Sequence, residues 1–251
     1  FGTDPAPPID AQWRSRVAYY GLCSFLDRQV GAVLSALKNA GLADDTIVVY
    51  CSDHGEMLGE HGMWWKSTFY DGACRVPLIV SWPGRFSSGE LRTENVSLMD
   101  IGTTLIDLAG IDPLPGASGR SFRELLHGGH VEWDVFAEYI PEPGSVCRMV
   151  RSGPWKYNYY HGMEPELFNL KDDPRELNNL SGQPQPGHVE QRLHTQVLQD
   201  WNPDSVQTCR EQLGKERRLI ANWVGAANPP EPDPLWFSEP PENWVDNNIT
   251  V

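Results

Sequence analysis

Residues 46–66 read Thr46-Ile-Val-Val-Tyr-Cys51-Ser-Asp53-His54-Gly55-Glu-Met-Leu-Gly59-Glu-His61-Gly62-Met-Trp-Trp-Lys66. The run Thr46–Cys51 is rich in β-branched and aromatic residues and is flanked by turn formers, so it reads as a buried strand. Asp53 and His54 follow just past its carboxyl end, where open α/β sheets place their ligands. A hard carboxylate beside a neutral imidazole suits a divalent cation. The three glycines let the backbone turn tightly and approach a ligand. Lys66 supplies a point positive charge for an anionic substrate held by that cation. Taken alone, the Asp-His pair also reads as a turn carboxylate beside a solvated imidazole.

Outward from this stretch the pattern is that of an α/β chain. Apolar residues recur at three- and four-residue steps from Trp13 to Leu37, predicting a helix over Asp10–Asn39 that Gly41 stops and whose stripe packs on the sheet. A helix-to-strand step of this kind is typical of parallel sheets. Pro77–Ser81 reads as a further strand and Met99–Leu108 as a helix closed by Gly110. From about Glu132 the pattern changes to short aromatic strands, Trp133–Tyr139, Val146–Arg151, Lys156–Tyr160 and Leu167–Leu170, separated by Pro/Gly turns. His188–Asp200 reads as the helix that covers them. The stretch Asn228–Glu242 is rich in Pro with Trp236 and Phe237 interleaved, a composition that forms no core of its own.

The string Ser52-Asp-His-Gly-Glu, then Gly59-Glu-His-Gly, Lys66, Arg75-Val-Pro-Leu-Ile-Val and Trp82-Pro-Gly resembles the sulfatase branch of the alkaline phosphatase superfamily. The wording is nearest to choline-sulfatase-like, iduronate-sulfatase-like and phosphonate monoester hydrolase members. The resemblance continues through Asp100-Ile-Gly-Thr-Thr-Leu-Ile-Asp-Leu-Ala-Gly, Gly119-Arg-Ser-Phe, Arg151-Ser-Gly-Pro-Trp-Lys-Tyr and Glu166-Leu-Phe-Asn-Leu-Lys-Asp-Asp-Pro-Arg-Glu-Leu-Asn-Asn-Leu. It implies the C-terminal part of an alkaline-phosphatase-like sandwich with a mainly parallel sheet, plus a small antiparallel sheet and a covering helix. On that reading residues 1–130 belong to the α/β core and 131–205 to the small subdomain. Residues 206–251 are a tail that docks on the core or on a neighbouring subunit.

The resemblance also implies chemistry. Asp53 and His54 would hold one divalent ion, Ca2+ before Mn2+ or Mg2+. Lys66 would be the catalytic contact to the sulfate oxygen nearest the leaving group. His61 would be a further substrate contact or a loop-packing residue. The family's nucleophile is a formylglycine made from Cys or Ser in a Cys-x-Pro-x-Arg motif, upstream of the Asp-His pair together with two more metal-binding aspartates. Cys23 lies in Leu-Cys-Ser-Phe-Leu, without the proline and arginine. Ser81-Trp-Pro-Gly-Arg85 fits a loose form of the motif, but downstream of the pair, and Cys74-Arg-Val-Pro fits worse.

The expectation is therefore a sulfuric ester hydrolase acting on a small-molecule or saccharide sulfate ester. It is active only with an upstream segment or complementary chain that would also carry any targeting signal. The alternatives are a phosphonate monoester or phosphodiester hydrolase of the same fold, and a non-catalytic remnant.

Composition sets bounds on this. A net charge of −14 disfavours nucleic acid as a partner, while a sulfate needs only local positive charge. No stretch approaches the ~20 apolar residues of a membrane span. Five cysteines without a Cys-x-x-Cys give neither a disulfide framework nor a zinc pattern. Glu56 reads as a partner that orients His54 or as a solvated loop carboxylate. Arg148, Arg151, Trp155, His161 and Tyr157, Tyr159 and Tyr160 read first as core and cover of the small sheet. The triplets at Asn95, Asn179 and Asn248 occur about as often as chance allows.

Overall fold

The computed structural model describes residues 7–140 and 146–228. The first element, α1, is the helix Ile9–Asn39. Gly41 at φ 70° ends it, donating its N–H back to the Lys38 carbonyl at 3.0 Å. The stripe expected to pack on the sheet is open to solvent: Trp13, Val17 and Phe25 are 60%, 67% and 61% exposed, and no residue of α1 is buried. A helix of 31 residues is about 46 Å long, whereas the two strands that flank residues 52–77 have four residues each, about 13 Å, and offer it little surface to pack on.

Those strands are β1, Val48–Cys51, and β2, Leu78–Ser81. They pair antiparallel, Val48 opposite Ser81 and Cys51 opposite Leu78. The parallel pairing expected from the sequence is not found among the described residues. The connection explains this: it carries the Asp53–Lys66 loop and the single helical turn α2, Asp71–Cys74, and re-enters the sheet at the carboxyl end of β1. A parallel partner would need a crossover back to the amino end. Next comes α3, Leu98–Leu108, opened by a capping box in which Ser97 and Asp100 exchange hydrogen bonds. The turn α4, Arg123–Leu126, packs Phe122 and Leu125 with Val131 against Leu78, Val80 and Ile101.

The remaining strands are β3 (Val135–Tyr139), β4 (Cys147–Ser152), β5 (Trp155–Tyr160) and β6 (Glu166–Asn169). They form the expected antiparallel meander in the order β3-β4-β5-β6. Side chains alternate between its faces with period two. Val150, Tyr157 and Leu167 pack on Val189, Leu193 and Val197 of the covering helix α5, Gly187–Leu198. Cys147 and Met149 face the other way, onto Phe69. With both faces covered, β5 buries Lys156 and Asn158 on the side away from α5, directly behind the loop that leads from β1.

Asp204 opens a second compact unit, and Pro203–Ala227 is one helix, α6. The tail expected from residue 206 is thus helical through Ala227. From residue 229 onward the expected Pro-rich docking segment lies outside the described residues.

Candidate functional site

Past the end of β1 the chain turns so that Asp53 and His54 share one side. Ser52 Oγ donates to the His54 carbonyl at 2.8 Å, and the His54 N–H donates to Asp53 Oδ1 at 2.9 Å. The imidazole tautomer follows from one contact. His54 Nδ1 lies 2.8 Å from the Gly55 carbonyl oxygen, which only accepts, so Nδ1 carries the proton and Nε2 keeps its lone pair. Lys66 Nζ donates to that lone pair at 2.7 Å, and Asp53 Oδ2 lies 3.5 Å from the same nitrogen. The His54 backbone N–H first, with the Lys66 ammonium adding to it, holds the Asp53 carboxyl below the usual carboxylate range. Asp53, His54 and Lys66 are thus brought together on one side of the loop.

Asp53 and His54 could hold a metal between them. A cation about 2.3 Å from two neighbouring ligands at a right angle separates them by about 3.3 Å, close to the 3.5 Å observed. Two donors do not complete a site, and among the described residues no group of three or more His, Cys, Asp and Glu side chains gathers for a metal.

The loop that carries these residues is tightly tied. The Gly55 N–H donates to the Ala73 carbonyl at 2.8 Å, and a Cβ on Gly55 would sit 2.0 Å from the Gly72 carbonyl oxygen, so glycine is required there. Glu56 neither orients His54 nor lies solvated. Its Oε1 accepts the N–H groups of Leu58 at 3.1 Å and Trp65 at 2.6 Å, closing the loop across its base. Leu58, His61, Trp65 and Ser67 all have positive φ, between 49° and 79°. That conformation is costly for non-glycine residues, which cluster in it at functional loops.

His61 turns to other partners. Its ring stacks on Tyr70 with centroids 3.9 Å apart, and its Nε2 donates to the Arg175 carbonyl at 3.0 Å. The contacts of His61 are those of loop packing. Arg148 stacks over Phe136 and donates to the Val197 carbonyl on the α5 face. Tyr157 and Tyr159 line a cleft with Glu190 and His194 on that same face, apart from Asp53, His54 and Lys66. Ser81 ends β2 opposite Val48, at the far end of β1 from the Asp-His pair, so its loose nucleophile motif is not at the site. Burial pushes the Cys74 thiol up to about 11, which leaves it inert at neutral pH.

Sequence reasoning missed the groups behind the loop. Lys156, Asp71 and Glu176 form a buried ion cluster there, and Glu166 accepts from Tyr70, Asn158 and Tyr160 at 2.8, 3.0 and 2.8 Å. The available signal was Lys156 itself, a charge between Trp155 and Tyr157 in a strand covered on both faces, where a lysine must have partners.

Family models match this architecture in two overlapping parts. A sulfatase model matches residues 3–111, and a model described as N-sulphoglucosamine sulphohydrolase, C-terminal, matches residues 59–202. The chain belongs to the sulfatase family. This sulfatase chain is 40% identical over 187 residues to a choline-sulfatase of Rhizobium meliloti (strain 1021), covering 72% of the chain and 36% of the relative. It is 36% identical over 179 residues to an arylsulfatase K of Danio rerio, covering 67% of the chain and 34% of the relative. Among solved structures it superposes on a phosphonate monoester hydrolase of Agrobacterium radiobacter with a TM-score of 0.67 and 31% identity, over 73% of this chain and 40% of that one. The sulfatase chain spans about a third of the length of these curated relatives. Its α/β class is that of these neighbours. Among its described residues no helix is long and apolar enough to cross a membrane.

Proposed function

We propose that this chain supplies one wall of the active site of a metal-dependent sulfuric ester hydrolase, with Asp53 and His54 as metal ligands and Lys66 as the sulfate-binding cation. The observation that carries this is the convergence of Asp53 Oδ2 and Lys66 Nζ on His54 Nε2 at a strand end in a sulfatase-family chain. Asp53 presents a charged oxygen and His54 a nitrogen lone pair, which together suit a hard or borderline divalent ion. Such an ion supplies charge neutralisation of the sulfuryl oxygens.

The chain's own residues do the rest. The Nδ1–H of His54 on the Gly55 carbonyl fixes which nitrogen faces the site. Lys66, exposed on its loop, reaches the sulfate as a point charge and donates to the oxygen nearest the leaving group. The family nucleophile, a formylglycine, and the remaining carboxylates belong on this reading to a preceding segment or complementary chain. The open stripe of α1 supports this, since a row of large apolar side chains at helical spacing marks a surface made to be covered. The substrate is then a small-molecule or saccharide sulfate ester.

A second reading, hydrolysis of phosphonate monoesters or phosphodiesters, is favoured by the likeness to a solved phosphonate monoester hydrolase. Turnover of an aryl sulfate against an aryl phosphonate by the intact enzyme distinguishes them. Faster sulfate hydrolysis that Lys66→Ala abolishes supports the first reading. Faster phosphonate hydrolysis replaces it with the second, and turnover of neither overturns both.

A further inference from the structure

The loop that bears Asp53 and His54 is gripped from behind by a buried charge cluster separate from the Asp53, His54 and Lys66 contacts. Lys156 on β5 is 2% exposed, and its three N–H groups go to the Phe69 carbonyl at 2.9 Å, Glu176 Oε1 at 2.6 Å and Asp71 Oδ1. The second oxygen of Glu176 accepts the Asp71 N–H at 2.6 Å. Glu176 holds this position at φ 55°, a left-handed conformation that costs a residue with a Cβ. Its neighbour Arg175 accepts from His61 through its carbonyl. One corner of the small subdomain therefore grips the loop twice, at His61 and at Asp71.

From Asp71 a short chain of contacts leads to the metal ligand. Asp71 opens α2, the Gly72 carbonyl presses on Gly55, the Ala73 carbonyl accepts the Gly55 N–H, and the Gly55 carbonyl accepts the His54 Nδ1–H. A shift of Asp71 would pass along these contacts to Gly55 and to the imidazole. Buried ion clusters are poor stabilisers compared with apolar residues of the same volume, whereas their hydrogen bonds are directional. The cluster is suited to setting geometry.

We propose that Glu176 and Lys156 are positioning residues for the ester hydrolysis, fixing the loop so that His54 presents Nε2 beside Asp53 and Lys66. The inference rests on reading Asp53, His54 and Lys66 as the metal and sulfate residues. The test uses the intact enzyme at a temperature where circular dichroism shows every variant folded. Glu176→Gln keeps the side-chain shape and removes one acceptor. Leu193→Ala removes core packing on the opposite face of the sheet. Asp53→Asn tests the underlying reading.

Calorimetric titration with Mn2+ and steady-state kinetics on an aryl sulfate are expected to show Glu176→Gln losing roughly tenfold in metal affinity and in kcat. KM should change less, and Leu193→Ala should keep wild-type values despite a lower Tm. Wild-type metal affinity and kcat in Glu176→Gln, or losses equal to those of Leu193→Ala, overturn the inference and leave the metal reading standing. Unchanged affinity in Asp53→Asn overturns the metal reading and the inference together. Asp71→Asn, whose amide oxygen still accepts from Lys156, serves the same comparison if Glu176→Gln does not fold.

Discussion

Lys66 Nζ lies 2.7 Å from His54 Nε2, on the lone pair that a metal ion would use. A bound cation and the ammonium cannot share that lone pair, so on the proposed reading metal loading would free Lys66 for the substrate. Lys66→Ala in the intact enzyme is expected to lower kcat by about 10²–10³-fold without weakening metal binding. The lysine is exposed, so Tm should stay within about 1 °C. Lys66→Arg should not restore the rate, because a forked guanidinium is bulkier than a point charge. Kinetics on an aryl sulfate with parallel thermal melts check this.

Gly55→Ala should be among the most damaging small substitutions in the chain. Its Cβ would meet the Gly72 carbonyl oxygen at 2.0 Å, and the overpacking should cost about 1–3 kcal/mol. Because Gly55 also receives the His54 imidazole, metal affinity should fall with stability. Chemical denaturation and metal titration of the same preparation measure both.

The buried cluster predicts a large stability effect as well. Lys156→Met leaves Asp71 and Glu176 without their shared cation and should destabilise the fold by about 3–5 kcal/mol. Leu193→Ala, in the core beneath α5, should cost about 2–5 kcal/mol. A Lys156→Met variant as stable as wild type in urea would show that the cluster is not buried in the intact protein.

The cysteines divide by environment. Burial pushes the Cys74 and Cys147 thiols up to about 11. Since the thiolate is the reactive form, both should stay unalkylated by iodoacetamide at pH 8 in the native enzyme and react once it is unfolded. Mass spectrometry of the labelled peptides reads this directly. Rapid native labelling of Cys74 would return it to consideration as a nucleophile.

Much of the small sheet was legible in the sequence because alternating aromatic strands broken by Pro and Gly leave few other readings, and β3 to β6 and α5 fall where they were expected. The Asp53-His54-Lys66 group was legible because local order brings it together, within fourteen residues of one loop. The Lys156–Asp71–Glu176 cluster was not, since its members are 85 and 20 residues apart and only the fold joins them. The antiparallel pairing of β1 and β2 was hidden because strand composition says nothing of direction. The helix α6 did leave a trace: Val206, Cys209, Leu213, Ile220 and Val224 recur at helical spacing behind Asn202-Pro203, a cap followed by a first-turn proline. The charged residues between them obscured it.

Binding of a catalytic metal by Asp53 and His54 beside Lys66 is open to a direct test, anomalous diffraction from crystals of the intact enzyme loaded with Mn2+. A peak is expected within about 2.6 Å of an Asp53 carboxylate oxygen and of His54 Nε2, with Lys66 withdrawn from that nitrogen. A fully loaded enzyme whose metal lies elsewhere, with Lys66 still seated on His54, would contradict it.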